Sequence, residues 1–455
     1  MYKNSEIKLN HAILGLLLLT FSSSSIFLWH SDIPWSDQQR LFQLFFLTLI
    51  LPTCLAQEKS RLTFNQHAAI ATILLIGTIS SISSSLPKWA AIEVSRYVAL
   101  ALTLHLVSTN KNSEKIILII ITGTIGLLSS KFLIYYFMAF YSNIRNISTD
   151  VLAIGFSNPR FYAQFQAIAL PITAMLGIYK FHKKHHLTHL IILSAVSLQW
   201  CIAIALGGRG LFLAFGCSYL VLFFLFRSYW QQAAWQLIAF AAGLLIYAFA
   251  FHWIPSILNI PEVSTQLIRE GLSAREVIWK LALQMTLDNP WLGAGPMHFA
   301  AIQNSVAAHP HQMILQWSSE WGIPATLIAL YLIGTGMLRG LVVVRSQHST
   351  PVDAALWLSL CNALVLAQVD GVFVMPYSEV WITVIAGLAL SRWGQLRTMR
   401  NYEKAIINLI ATVAFTVLLS VICQEMYVFL DDSQPLPEHY KGFRPRFWTN
   451  GWIGQ

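Results

Sequence analysis

The sequence predicts an all-α polytopic membrane protein, on three observations. Of 455 residues, 56% are hydrophobic and 11% are charged, where an average soluble domain carries about 25% charge. The apolar residues fall in long runs, many of about 18 residues or more, long enough to cross the hydrocarbon core as helices. Basic residues collect in alternate gaps between those runs, the pattern that sets membrane orientation.

Thirteen runs are expected as spans, at about 11–29, 41–56, 66–84, 89–108, 116–140, 161–180, 187–206, 211–226, 232–252, 324–344, 354–370, 376–391 and 405–424. The first follows Lys3 and Lys8 and lacks a clean small-residue cleavage site, so it reads as a retained span rather than a signal peptide. The fifth is the weakest, because Lys131 interrupts it. With the N-terminus in the cytoplasm, every second connection holds basic residues: Lys59 and Arg61; Lys111 and Lys115; Lys180, Lys183 and Lys184; Arg227; Arg345; and Arg392 to Lys404. The short loops on the other side are poor in Lys and Arg. The net charge of +9 therefore reads as topology, and nucleic acid is not an expected partner. The five cysteines lie in or beside apolar runs without a Cys-x-x-Cys pair, so they read as small buried hydrophobes.

The division expected is spans one to nine at 1–252, a large outer loop at 253–323, the remaining spans at 324–424 and an outer tail at 425–455. A long loop in a compact fold is often functional. Ser273 and Glu276 form a capping-box pattern that predicts a helix to Asp288, stopped by Asn289-Pro290. Gly293, Ala294, Gly295 and Pro296 predict a tight turn. A second helix is expected from Pro310 to Gly322.

Ionisable groups at the membrane are functional candidates by default. Arg209 sits in Gly207-Gly208-Arg209-Gly210 between two spans, where the glycines let a ligand approach the backbone; the bland alternative is an arginine snorkelling to headgroups. Arg275 stands at the loop-helix start and Arg160 follows Asn158-Pro159; each could equally be a solvated surface charge. Arginines converging on one pocket suit a diphosphate, because the planar fork makes paired charge-assisted bonds. His309 and His311 flank Pro310. In the first helical turn, the positive dipole end would lower the His311 pKa and leave a neutral imidazole able to accept a proton. Metal binding is the competing reading, and no acidic residue stands at a suitable sequence spacing. Gln312, Gln316 and Glu320 share one helical face. Trp317 and Trp321 read as interfacial anchors rather than sugar platforms. Asp370 and Glu379 flank a short outer loop, either orienting a polar group or simply solvated.

These residues resemble the superfamily of O-antigen ligases, O-antigen polymerases and bacterial O-oligosaccharyltransferases. Members carry, in a large periplasmic loop, His followed by Asn, Ser or Gln, then nine residues, then Gly. Here the pattern is His311, Gln312, Met313 to Trp321 and Gly322. Ala325 stands where another Gly, Thr or Tyr is common. Asp288 to Gly295, Arg209 in its glycine turn and Ser157 to Phe161 also fit. Pro445-Arg446-Phe447-Trp448 looks like the tails of the pilin-modifying branch. The resemblance implies a fold like the C-class glycosyltransferases and metal-independent glycan transfer without a cofactor. The implied donor is a glycan on undecaprenyl diphosphate. Arg209 and Arg275, with Arg160, would hold the diphosphate, and His311 would position or deprotonate the acceptor, with His309 as the substitute. The acceptor implied first is a hydroxyl of a periplasmic protein, favouring type IV pilin; lipid A core or a growing glycan is the alternative. A transporter is the reading from another class, but two similar halves with paired broken helices are not apparent.

Overall fold

The computed structural model describes residues 2–29, 34–55, 57–142, 155–225, 229–259, 275–430 and 452–453. The expected cap residue Ser273 and the Pro445–Trp448 stretch lie outside them.

Fourteen principal helices are described: α1 (Tyr2–Ser23), α2 (Trp35–Cys54), α3 (Phe64–Ser83), α4 (Pro87–Thr109), α5 (Glu114–Tyr141), α6 (Pro159–His182), α7 (His186–Ala205), α8 (Arg209–Leu225), α9 (Trp230–Ala248), α10 (Arg275–Asp288), α11 (Met313–Arg345), α12 (Pro351–Leu366), α13 (Pro376–Trp393) and α14 (Asn401–Leu430). All but α10 fall on the expected spans. Among the described residues, eight segments are long and apolar enough to cross a membrane: Phe64–Ser83, Pro87–Thr109, Lys111–Tyr141, Pro159–His182, His186–Ala205, Trp230–Leu258, Met313–Arg345 and Asn401–Gln424. The chain is an all-α polytopic membrane protein. A bilayer imposes this architecture, because helices satisfy their own backbone polar groups.

Helix starts follow local chemistry. Thr63 and Gln66 form a capping box for α3, and Thr350 and Asp353 form one for α12. Asn158 caps α6 by accepting the Arg160 N–H at 2.9 Å, with Pro159 in the first turn. Helix α6 lies in the interior of the bundle, whereas α3 and α11 expose most of their surface.

Several expectations need correction. Lys131 does not interrupt the fifth span: α5 is continuous, and the ammonium donates to the Ile26 carbonyl at 2.8 Å while lying over the Trp35 ring. Helix α9 runs on through a π-helical turn, Phe249–Trp253, to Leu258. The second loop helix begins at Met313, not Pro310, and does not end at Gly322. Gly322 instead breaks α11 with φ 82°, after which the helix resumes through Arg345. Trp321 is not a lipid anchor. Trp321 is buried against Tyr97, and Trp317 packs on Phe373. Of the cysteines, Cys54 and Cys201 are buried as expected, but Cys217 and Cys423 lie on the outer surface of the bundle.

The two ends of the bundle differ. One end carries α10, the loop from Asn289 to Gln312 and the α12–α13 connection. The opposite end is closed by a two-residue antiparallel ladder, Lys59–Ser60 against Arg397–Thr398. Around it, Arg397 pairs with Glu403 at 2.6 Å, and Arg392 pairs with Asp353 at 2.7 Å and Glu114 at 2.9 Å.

Candidate functional site

Three arginines stand at three helix starts. Arg160 is in the first turn of α6, Arg209 is the first residue of α8, and Arg275 is the first described residue of α10. The Gly207 turn, at φ 65°, lets the chain reverse between α7 and α8. The α12–α13 connection brings Asp370 to the same place. Together these four residues line one cavity of about 250 Å³, walled by Leu206, Leu211 and Leu366. Among the described residues, none of the three guanidinium groups makes a salt bridge, and Arg275 Nε is buried without a hydrogen-bond partner. Burial and the nearby charge of Arg160 lower the Arg275 pKa below its usual value; Asp370 opposes the shift and Arg209 adds to it. The cavity therefore holds concentrated positive charge, reinforced by helix N-termini, beside apolar walls. Such a site suits an anion attached to a hydrocarbon.

His311 adjoins this cavity through Asp370. Its Nδ1 lies 3.3 Å from Asp370 Oδ1, which also accepts the Gly371 N–H at 2.8 Å. Burial pushes the Asp370 carboxyl up, but His311, Gln164 and the Gly371 N–H outweigh it and hold the group below the usual carboxylate range. The pair leaves Nε2 of His311 without a partner among the described residues, in the arrangement of an imidazole oriented by a carboxylate. His311 is not in the first helical turn, as expected from sequence. It precedes the cap residue and takes a left-handed φ of 54°. Gln312 is the cap, accepting the Leu315 N–H, and its amide donates to Gln368 at 3.0 Å.

His309 is buried, with its ring centroid 4.0 Å from that of His311. The carboxylate that the local sequence spacing does not offer arrives from elsewhere in the fold. Ligand atoms of His309, His311 and Asp370 all lie within 4.8 Å of one another, a set able to hold a divalent cation.

Glu320 is placed apart from the cavity. Its carboxylate is buried and accepts the Phe299 N–H at 3.1 Å, so it shapes the loop leading to the histidines. The same loop is tied down by Trp279 Nε1 donating to Pro310 O at 2.9 Å, and by the Leu86 N–H donating to His298 Nε2 at 3.0 Å. Glu379 is not solvated; it is buried among Arg40, Gln43 and Arg96. Sequence reasoning passed over Arg40, Glu93 and Arg96. The available signal was charge within or beside otherwise apolar runs.

Residues 193–330 match the model of the O-antigen ligase family. The matched stretch holds Arg209, Arg275, His309, His311, Gln312 and Glu320, whereas Arg160 and Asp370 lie outside it. No curated protein matches the chain. The family match supports the superfamily and a glycan transfer of the ligase or polymerase type, in a multi-pass membrane protein.

Proposed function

We propose that this protein transfers a glycan from undecaprenyl diphosphate to a hydroxyl on a periplasmic protein, with type IV pilin as the first candidate acceptor. The observation that carries the reading is the convergence of Arg160, Arg209 and Arg275 on one cavity whose fourth polar wall, Asp370, contacts His311. In this reading the acceptor hydroxyl attacks the anomeric carbon. The bond from that carbon to the diphosphate oxygen breaks, and the lipid diphosphate departs as an anion held by the arginines. Fixed positive charge takes the place of an acid for this leaving group. The acceptor proton passes to Nε2 of His311, and Asp370 stabilises the resulting imidazolium.

The α10 end then faces the periplasm of a bacterial inner membrane, and the basic opposite end faces the cytoplasm. The Arg-lined cavity receives the diphosphate from the bilayer, and the acceptor reaches His311 from the aqueous side. Transfer to lipid A core, or to another lipid-linked glycan, uses the same chemistry and differs in the acceptor alone.

Intact-mass spectrometry of pilin, together with the lipopolysaccharide ladder, tests the acceptor in cells with and without this protein. A glycan mass lost from pilin in its absence supports the protein acceptor; an unchanged pilin and a collapsed ladder assign the lipid acceptor. Metal independence is tested by chelation of the purified protein with lipid-linked donor. Full turnover in chelator is expected. Loss of activity that a divalent cation restores would instead assign the His309, His311 and Asp370 set to a metal.

A further inference from the structure

Four ionisable side chains lie inside the bundle, away from the Arg-lined cavity: Arg40 on α2, Glu93 and Arg96 on α4, and Glu379 on α13, each at most 3% exposed. Arg40 lies 3.1 Å from Glu379, Arg96 contacts Glu379, and Arg96 lies 2.7 Å from Glu93. The cluster holds two arginines and two glutamates, and buried Asp37 lies one turn before Arg40 on α2. Burying such a cluster is costly, and well-packed apolar residues often hold helices together as well. Its presence inside an apolar bundle points to a role beyond joining helices.

The hydrogen bonds that leave the cluster indicate that role. Arg40 Nη2 donates to the Val374 carbonyl at 2.7 Å, and Gln43 Nε2 donates to the Pro376 carbonyl at 3.4 Å. From α4, Tyr97 OH donates to the Phe373 carbonyl at 3.3 Å. The Phe373 and Val374 carbonyls belong to the connection that follows Asp370, and Pro376 is the first residue of α13, where that connection ends. At its near end, Gly371 packs so closely on His309 that a Cβ there would lie 2.2 Å from His309 Nε2. The connection is thus pinned at its far end by α2 and α4, and fitted at its near end to the histidines.

We infer that Arg40 is a positioning residue: with Glu379, it fixes the Asp370–Pro376 connection so that Asp370 meets His311 while lining the arginine cavity. The inference rests on the transferase reading for its consequence in turnover, but the clamp itself does not.

The test compares the full-length wild type with Arg40→Met/Glu379→Met, which removes one charge of each sign and leaves Arg96 with Glu93. Hydrogen exchange of amides 371–375 reads the clamp, and transfer from lipid-linked donor reads the consequence. The expected result is faster exchange there and kcat reduced on the order of 10- to 100-fold, as for a displaced reacting group, with donor KM within about twofold because the arginines are untouched. Unchanged exchange, or wild-type kcat, in a normally accumulating variant would overturn the inference and leave the cluster as a helix joint. If the double variant does not accumulate, Arg40→Lys decides by the same readings, since an ammonium keeps the charge without the fork that reaches Glu379 and Val374 together. Wild type inactive on every acceptor would refute the transferase reading, while the exchange comparison would still test the clamp.

Discussion

At the residue scale, Asp370 joins the two halves of the site. It lines the arginine cavity and contacts the imidazole that would serve the acceptor. His311→Ala should cut transfer on the order of 10²- to 10⁴-fold with normal expression; full turnover in purified protein would remove His311 from the chemistry. Arg209→Lys keeps the charge but not the bidentate fork, so turnover should fall by about 10²-fold, comparable to loss of an oxyanion donor. Near-normal turnover would argue against a diphosphate clamp. Asp370 also makes a pH prediction. Its folded pKa is depressed, so its stabilising contribution is fully present above the ordinary carboxylate value and is lost as pH falls through the folded value. Asp370→Asn should lower stability by about 1 kcal/mol at pH 7, and the gap should persist to pH 5 and close only below the ordinary carboxylate range near 4. Thermal unfolding in detergent across that range measures it. A gap already closed at pH 6 would contradict the assignment.

At the element scale, the break in α11 places the histidines. Gly322 holds φ 82°, and a Cβ there would lie 2.4 Å from the Trp291 carbonyl. The carbonyls of Ser319 and Glu320, just before the break, accept the N–H groups of Ala294 and Gly295, and the Ile323 N–H donates back to Pro290 O at 2.8 Å. The break therefore docks the loop onto the helix, and the loop then runs to His309. Gly322→Ala should destabilise this junction by about 1–3 kcal/mol and reduce transfer, seen as a lower unfolding midpoint and lower kcat. A variant indistinguishable from wild type would show that the turn tolerates a side chain.

At the scale of the whole molecule, most of the fold was legible in the sequence. Apolar runs report spanning helices directly, because a bilayer offers the backbone few alternatives. The sequence singled out Arg160, Arg209 and Arg275 by their place at expected helix starts, and the fold brings them to one cavity. Asp370 stands out in the sequence as an acidic residue beside a short outer loop, but its contact with His311 joins residues 59 positions apart, and no local spacing reveals such a pairing. The start of α11 was misplaced because Pro310 favours a first turn, while the Gln312 side chain supplies a cap three residues before Leu315. The buried Arg40 cluster was missed because apolar neighbours dominate a hydropathy window.

The ladder and ion pairs that close the opposite end have a mechanical consequence. They join the α2–α3 and α13–α14 connections to the starts of α5, α12 and α14, so that end is cross-linked where the opposite end carries the cavity. If the arginine cavity takes the diphosphate-linked glycan as proposed, helices that spread to admit it would turn about that end, with a displacement that grows with distance from it. Distance-reporting labels near Arg392 should hold their separation when donor binds, while a pair spanning Arg209 and Arg275 widens.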